Sequence, residues 1–276
     1  MLKIAITGSS GFLGSHIINE LIKSEHQVIP VTRQNISDAV QVKDYRETPD
    51  ADLLIHLAEE SNRQKVNKIG KKYIDYSSNV TALLTQKFNG NVIYISSGAV
   101  YGDQDEEPYK INAPIYATDI YSESKIINER IVLESGGTVL RLSNLYGKGM
   151  SSNNVMSKII NQLQGNNEIV VNNVSPIRDF ILVTDVARLV SLIVQFEAKG
   201  IVNVGSGVPT SIFQLIKIFM KVYDCSEKKI VSRTKSNKIS INVLDISDTK
   251  KKFNWSPSTD LEKNLYLLLT KSRDNK

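Results

Sequence analysis

The sequence predicts an α/β fold built on a doubly wound parallel sheet, and three observations carry that prediction. Short β-branched runs alternate along the chain with stretches of helical periodicity, the pattern of strands paired in parallel with helices over both faces. The first run, Ile4 to Thr7, breaks at Gly8, and from Leu13 the apolar positions recur every fourth residue (Leu13, Ile17, Leu21), so strand passes to helix through a glycine turn. At 276 residues the chain can bury a full core and suits one large α/β unit or two intimate lobes better than a string of modules.

The glycine turn implies chemistry. In K-I-A-I-T-G-S-S-G-F-L-G-S-H-I-I-N-E-L, residues 3 to 21, Gly8 and Gly11 lack a Cβ and let the backbone turn tightly against a pyrophosphate, while Gly14 lets the helix pack close to the strand. The amides at the helix start, at Phe12 and Leu13, and its positive dipole end then face the anion. The spacing is G-x-x-G-x-x-G after Thr7, not the G-x-G-x-x-G of other dinucleotide folds. Strand before and helix after favour a nucleotide site over a purely conformational turn. The sheet is thus expected to be of the Rossmann type.

Gln27 to Thr32 (Q-V-I-P-V-T) reads as the second strand, whose end lies beside the adenosine ribose in this architecture. Thr32 and Arg33 stand there instead of an acid. A guanidinium suits a 2′-phosphate, which favours NADP, with NAD as the alternative; Arg33 simply solvated at a strand end is the plainer reading. Val40 to Lys43 is a short third strand, and Leu53 to Leu57, inside D-L-L-I-H-L-A, a fourth. His56 in that apolar strand reads as a core histidine and is given no catalytic role. A helix follows from about Gly70 to Phe88, then a fifth strand from Val92 to Ser96.

The fifth strand ends in S-S-G-A-V-Y-G, residues 96 to 102, which places Ser96 and Ser97 at the carboxyl edge where open parallel sheets bind ligands. An acidic irregular stretch, Asp103 to Pro114, leads to a helix over Ile120 to Glu134. There Tyr121 and Lys125 are four apart and project from one face. Tyrosine is a poor base at neutral pH, with an ordinary pKa of about 10. An ammonium close by and a bound cationic nicotinamide favour the phenolate. Lys125 would supply that field and hold a cofactor ribose, and Ser97 would hydrogen-bond the substrate oxygen. The step that fits is hydride transfer at a carbinol or carbonyl carbon, with Tyr121 moving the proton.

T-G-x-x-G-x-x-G, S-S-x-x-V-Y-G and Y-x-x-x-K, in this order and spacing, resemble the extended short-chain dehydrogenase/reductase family of nucleotide-sugar epimerases, dehydratases and reductases. H-L-A at 56 to 58 is similar to the family's fourth-strand end, and N-V-T-A-L-L at 79 to 84 to its helix marked by asparagine. R-L-S-N-L-Y-G at 141 to 147 resembles its sixth-strand motif, and N-N-V-M at 153 to 156 the helix start that meets substrate phosphates. I-R-D-F-I-L-V-T-D-V-A at 177 to 187 is similar to its substrate-lobe signature and I-V-N-V-G-S-G at 201 to 207 to the strand and turn after it. The resemblance implies Tyr121 as acid/base, Lys125 as its electrostatic partner and Ser97 as the hydrogen-bonding residue. It places Leu57, Ala58 and Asn79 on the cofactor and Asp44 at the adenine, a turn-forming aspartate being the plainer reading of the last. Asn144 and Asn154 would meet the sugar and phosphates of a nucleotide-diphosphate sugar, and Arg178 its diphosphate, with Arg233 as a second clamp. Plainer roles are an Arg178 that pairs only with Asp179 and an Asn154 that only caps its helix.

Family dehydratases place an Asp-Glu pair just after the active-site hydroxyl residue, where this chain has Gly98 and Ala99, so 4,6-dehydration is not expected. A 4-keto-sugar reductase and an NAD-dependent 4-epimerase remain. Thr32-Arg33 tilts the reading towards the reductase. A non-catalytic NAD(P)-binding regulator is the alternative from another class; intact Ser97, Tyr121 and Lys125 count against it, since fold alone does not decide function. The expected domains are a nucleotide-binding sheet over 1–147, rejoined by parts of 176–205, and a smaller α/β substrate lobe over 148–175 and 206–276. The resemblance also suggests a homodimer paired through the two long helices and a place in polysaccharide precursor synthesis.

Composition narrows the classes further. The chain is 41% hydrophobic and 23% charged, and a net charge of +5 favours anionic ligands only weakly. No basic run is interleaved with aromatics, so no nucleic-acid face is expected, and Lys250 to Lys252 reads as a solvated helix end. The single cysteine, Cys225, gives no internal disulfide and reads as a packed thiol; three histidines without a Cys/His cluster suggest no metal site. The start lacks a signal-peptide pattern and no apolar stretch approaches the ~18 residues of a membrane span, so no membrane partner and a cytoplasmic location are expected.

Overall fold

The computed structural model describes residues 1–103, 108–165, 167–234 and 240–273. Positions 104–107 of the acidic stretch, and the end of the expected substrate lobe at 274–276, lie outside them. The amino-terminal half runs β1 (Lys3–Thr7), α1 (Phe12–Leu21), β2 (Gln27–Thr32), β3 (Val40–Gln41), β4 (Leu53–His56), α2 (Arg63–Ile69), α3 (Lys71–Lys87), β5 (Val92–Ser97), α4 (Ile120–Glu134) and β6 (Thr138–Leu142). It continues through β7 (Asn144–Tyr146), α5 (Val155–Leu163), β8 (Glu168–Val171), β9 (Ile177–Arg178), β10 (Phe180–Leu182), α6 (Val183–Gln195) and β11 (Gly200–Val204). The last part holds β12 (Thr210–Ser211), α7 (Ile212–Val222), β13 (Lys229–Ser232), β14 (Ile241–Asn242), α8 (Ser247–Phe253) and α9 (Leu261–Arg273).

The main sheet has seven strands in the order β11-β6-β5-β4-β1-β2-β3, all paired in parallel. The order reverses between β1 and β4, the switch point at which such sheets open a crevice at their carboxyl ends. One face is covered by α1 and α6, whose Leu13, Ile17, Val186 and Val190 pack on Ile4, Ile6 and Ile55. The other face is covered by α3 and α4, with Val80, Leu84 and Val132 against Ala5, Leu54 and Tyr94. A separate core of Met156, Ile159, Ile169, Leu215, Ile216 and Phe219 holds α5, α7 and the β8–β13 pair together.

Several elements differ from expectation. β3 stops at Gln41, because Asp44 turns the chain into a single 3-10 turn over Tyr45–Glu47 by accepting from the Arg46 amide. β4 stops at His56. The expected helix from Gly70 is α3, and a second helix, α2, precedes it, capped by Asn62 and separated at Gly70, whose φ of +75° breaks the helical path. The segment that carries Leu244, Ile246, Phe253 and Trp255 packs on the main sheet's core, while the second core is built from Tyr146 through Leu265. Cys225 is buried in that second core, where burial pushes its thiol up.

Candidate active site

The turn after β1 is shaped by two close approaches. Gly8 has a φ of +72°, and a Cβ there would lie 3.0 Å from the Leu57 carbonyl carbon; a Cβ on Gly14 would run into the Gly8 carbonyl oxygen. The Gly11 amide donates to the Gly8 carbonyl at 2.9 Å, closing the turn, and Gly11 starts α1 with no side-chain cap. The first-turn amides of Phe12 and Leu13, which have no intrahelical acceptor, are therefore left to a ligand or water. A backbone cradle at a helix start, beside Leu57 and Ala58, fits a dinucleotide pyrophosphate.

Beside the cradle lies a cavity of about 260 Å³ lined by Arg33, Tyr45, Ala58, Glu59, Lys65 and Lys72 among others. The Arg33 guanidinium lies over the Tyr45 ring, 5.3 Å from its centroid, and forms no ion pair among the described residues. Asp44 is bound to Arg46 through both carboxylate oxygens, and that hydrogen bond holds its carboxyl below the usual range. His56 closes the cavity floor with Nδ1 2.8 Å from the Thr7 hydroxyl; desolvation pushes its imidazole down to about 4, so the ring is neutral.

At the carboxyl end of β5, Ser97 accepts from the Ala99 amide at 3.2 Å and starts the 3-10 turn Gly98–Tyr101. Asn242 holds that turn by donating to the carbonyls of Gly98 and Gly102. A Cβ on Gly98 would lie 3.0 Å from the Asn242 amide oxygen and 3.2 Å from Leu244, so a side chain there would press on both neighbours. Tyr121 stands on the first turn of α4, and the Lys125 ammonium is 5.9 Å from its ring centroid, as the four-residue spacing predicts. Asp119 and Ser122 form a capping box at that helix start, and the Tyr121 amide donates to Asn67 of α2.

Lys125 is also tied to a residue that sequence reasoning missed. Its ammonium pairs with the Glu59 carboxylate and donates to the Ile95 carbonyl at 2.8 Å. Glu59 accepts in addition from Ser77, Tyr94 and Asn128. Burial is the largest influence and works to raise the Glu59 carboxyl, but the charges of Lys125 and His56 together with the hydrogen bonds from Lys125 and Ser77 hold it below the usual range. The signal for Glu59 was an acidic doublet directly after a buried strand; that for Asn128 was its place three residues beyond Lys125 on the same helix face.

The remaining expected residues are placed as follows. Asn79 is on the exposed outer face of α3, and Tyr73 and Ser77 are the side chains of that helix that face Glu59 and Glu60. Asn144 is exposed at the start of β7, its amide donating to the Asp179 carbonyl at 3.0 Å, and Asn154 caps α5 by accepting from the Ser157 amide. Arg178 pairs with Asp103 and not with its neighbour Asp179; it also donates to the Ser240 hydroxyl and to the carbonyls of Ile177 and Ser240. Arg233 is exposed just past β13. The structure therefore gathers Ser97, Tyr121 and Lys125 at one edge of the sheet, with Arg178 reaching the same edge through Asp103.

Comparison with known proteins shows what the chain is similar to. The model of the NAD dependent epimerase/dehydratase family matches residues 4–205. The chain is 27% identical to GDP-6-deoxy-D-mannose reductase of Pseudomonas aeruginosa, over 97% of this chain and 96% of that one. Its fold is similar to that of UDP-glucose 4-epimerase of Thermotoga maritima with UDP-glucose, at a TM-score of 0.86, 21% identity and 99% of both chains. A structure of RMD from Pseudomonas aeruginosa complexed with NADPH is similar to the same degree, at a TM-score of 0.86, 21% identity and 100% of both chains.

Proposed function

Since the chain belongs to the NAD-dependent epimerase/dehydratase family, whose members act on nucleotide sugars, we propose that this enzyme reduces a 4-keto nucleotide-diphosphate sugar with NADPH. The observation that carries the reading is Arg33, a guanidinium free of any described ion pair at the end of β2, in a cavity where Lys65 is matched by Glu60 and Lys72 is a further cation. An NAD-binding site asks for an acid there, and a 2′-phosphate for a cation. Gly98 and Ala99 after Ser97 add that the chain lacks the acid/base pair of a dehydratase there, at a position already tight against Asn242 and Leu244.

When bound, the nicotinamide supplies or accepts the hydride. The protein does the rest. The Gly8–Gly14 turn and the amides of Phe12 and Leu13 hold the pyrophosphate, and Leu57 and Ala58 form the wall beneath it. Ser97 hydrogen-bonds the substrate oxygen, Tyr121 gives that oxygen its proton, and Lys125 steadies the charge that develops on the phenol. Arg178, Asn144 and Asn154 face the nucleotide-diphosphate end, with Arg233 as a further clamp. Leu83, exposed on α3, is a candidate contact of a two-copy assembly, whereas Tyr76 of the same helix lines the cavity beside Arg33.

The experiment is a binding titration of nucleotide-free protein with NADPH and NADH. NADPH is expected to bind well ahead of NADH, and Arg33→Ala to reduce the preference by about 1.5–3 kcal/mol, roughly tenfold to a hundredfold. Protein that retains NAD through dialysis and gains nothing from the 2′-phosphate would convert the assignment to a 4-epimerase and leave Arg33 a surface residue. Tyr121→Phe is expected to lower turnover of the keto sugar by about 10²–10⁴-fold.

A further inference from the structure

The Glu59–Lys125 pair stands out because Lys125 is the residue whose charge the chemistry depends on. Both side chains are 8% exposed. Glu59 collects four donors from three elements: the Lys125 ammonium and Asn128 amide of α4, the Tyr94 hydroxyl of β5 and the Ser77 hydroxyl of α3. A carboxylate so provided for stays ionised. Of the three N–H bonds of the ammonium, one goes to Glu59 and one to the Ile95 carbonyl, which leaves one for cofactor or tyrosine.

Electrostatics then assign Glu59 a consequence. An isolated ammonium near a phenol favours the phenolate, but an ammonium joined to a carboxylate presents a much weaker field. The other charged groups around Tyr121 do not change this balance. His56 on β4 is neutral, and Tyr94 on β5 and Tyr73 on α3 have their phenols driven up by burial and stay protonated. Arg63 of α2 is matched by Asp119 at the start of α4, and Glu129, one turn beyond Lys125, is matched by Arg141 at 2.6 Å. Glu59 is the one anion paired with Lys125 among the described residues.

We infer that Glu59 is a positioning residue that fixes the Lys125 ammonium, offsets its charge and so sets the pH at which Tyr121 exchanges its proton. The inference rests on Tyr121 as the acid/base and Lys125 as its partner. It is tested on the full chain without added ligand, by following tyrosinate absorbance against pH, each variant being compared with the same variant carrying Tyr121→Phe to isolate the Tyr121 step. Glu59→Gln is expected to move that step down by about one pH unit or more, and Glu59→Asp, which keeps the charge, to leave it in place. A folded Glu59→Gln protein with the step unmoved overturns the inference.

Where Glu59→Gln does not fold, the double variant Glu59→Met/Lys125→Met leaves no charge buried alone. The Tyr121 step then stays within about half a pH unit of the wild type if the two charges offset each other. It rises by about one unit or more if Lys125 acts uncompensated, which again overturns the inference. The two readings fail separately. Loss of turnover in Tyr121→Phe with a step indifferent to Glu59 sinks only this inference, and full turnover in Tyr121→Phe sinks the assignment beneath it.

Discussion

His56 is an imidazole buried against the cavity that Arg33 lines, 2% exposed, with the Thr7 hydroxyl as its hydrogen-bond partner. Desolvation dominates its titration; Glu59 pulls the other way and Lys125 adds to the depression, with the net result at about 4. The unfolded chain takes up a proton on this ring below its ordinary value of about 6.5, whereas the folded chain waits until about 4. Stability from this site is therefore whole above pH 6.5 and falls as pH drops towards 4, by a total on the order of 3 kcal/mol. Urea unfolding of wild type and His56→Gln at a series of pH values checks it: the difference between the two curves should grow from pH 4 to 6.5 and then level. A difference independent of pH would contradict it. The burial of His56 was legible from its apolar strand, and so were Tyr121 and Lys125 from their helical spacing. Glu59 was not, because its role depends on four partners 18 to 69 positions away in the chain.

At the scale of elements, α4 shows how Tyr121 is held. Its limits, Ile120 and Glu134, are those the sequence predicts, and Asp119 and Ser122 close its start with a capping box. Its neighbour α2 was not legible, having only Val66 buried and hence no apolar stripe to read. Yet α2 matters to the site, because Arg63 and Asn67 both donate to Asp119 while Asn67 accepts from the Tyr121 amide. Burial works to raise the Asp119 carboxyl, but the bonds from Arg63, Ser122 and Asn67 bring it down to about 2 and keep it charged. Asp119→Ala is expected to cost about 1–2 kcal/mol in urea unfolding and to speed hydrogen exchange at the Tyr121 amide. Stability lost with no change in exchange there would mean that α2 does not steady the tyrosine.

For the molecule as a whole, the joint between the main sheet and the second core turns on Asp179, fully buried between β9 and β10. Its carboxylate accepts from the Ser143 hydroxyl, the Ser206 amide and hydroxyl, and the amides of Gly207 and Leu244. These donors lie after β6, after β11 and after β14, so one side chain joins the ends of two sheet strands to the segment that returns from the second core. Burial pushes its carboxyl up, and the bonds from Ser206, Gly207 and Leu244 work against that rise. A Cβ on Gly205 would run into the same carboxylate, which accounts for a glycine beside it. The motif around 177–187 pointed to a substrate-side role, but the sequence does not tell which carboxylate of the segment turns inward; Arg178 reaches Asp103 instead. Asp179→Ala leaves five buried donors without an acceptor and is expected to cost about 3–5 kcal/mol. Hydrogen exchange should rise first at Ser206, Gly207 and Leu244, with β1 and β4 still protected, because the cores on either side of the joint are separately packed. Uniform exchange across the sheet at the same total cost would mean instead that the two cores unfold as one unit and that Asp179 supports them together.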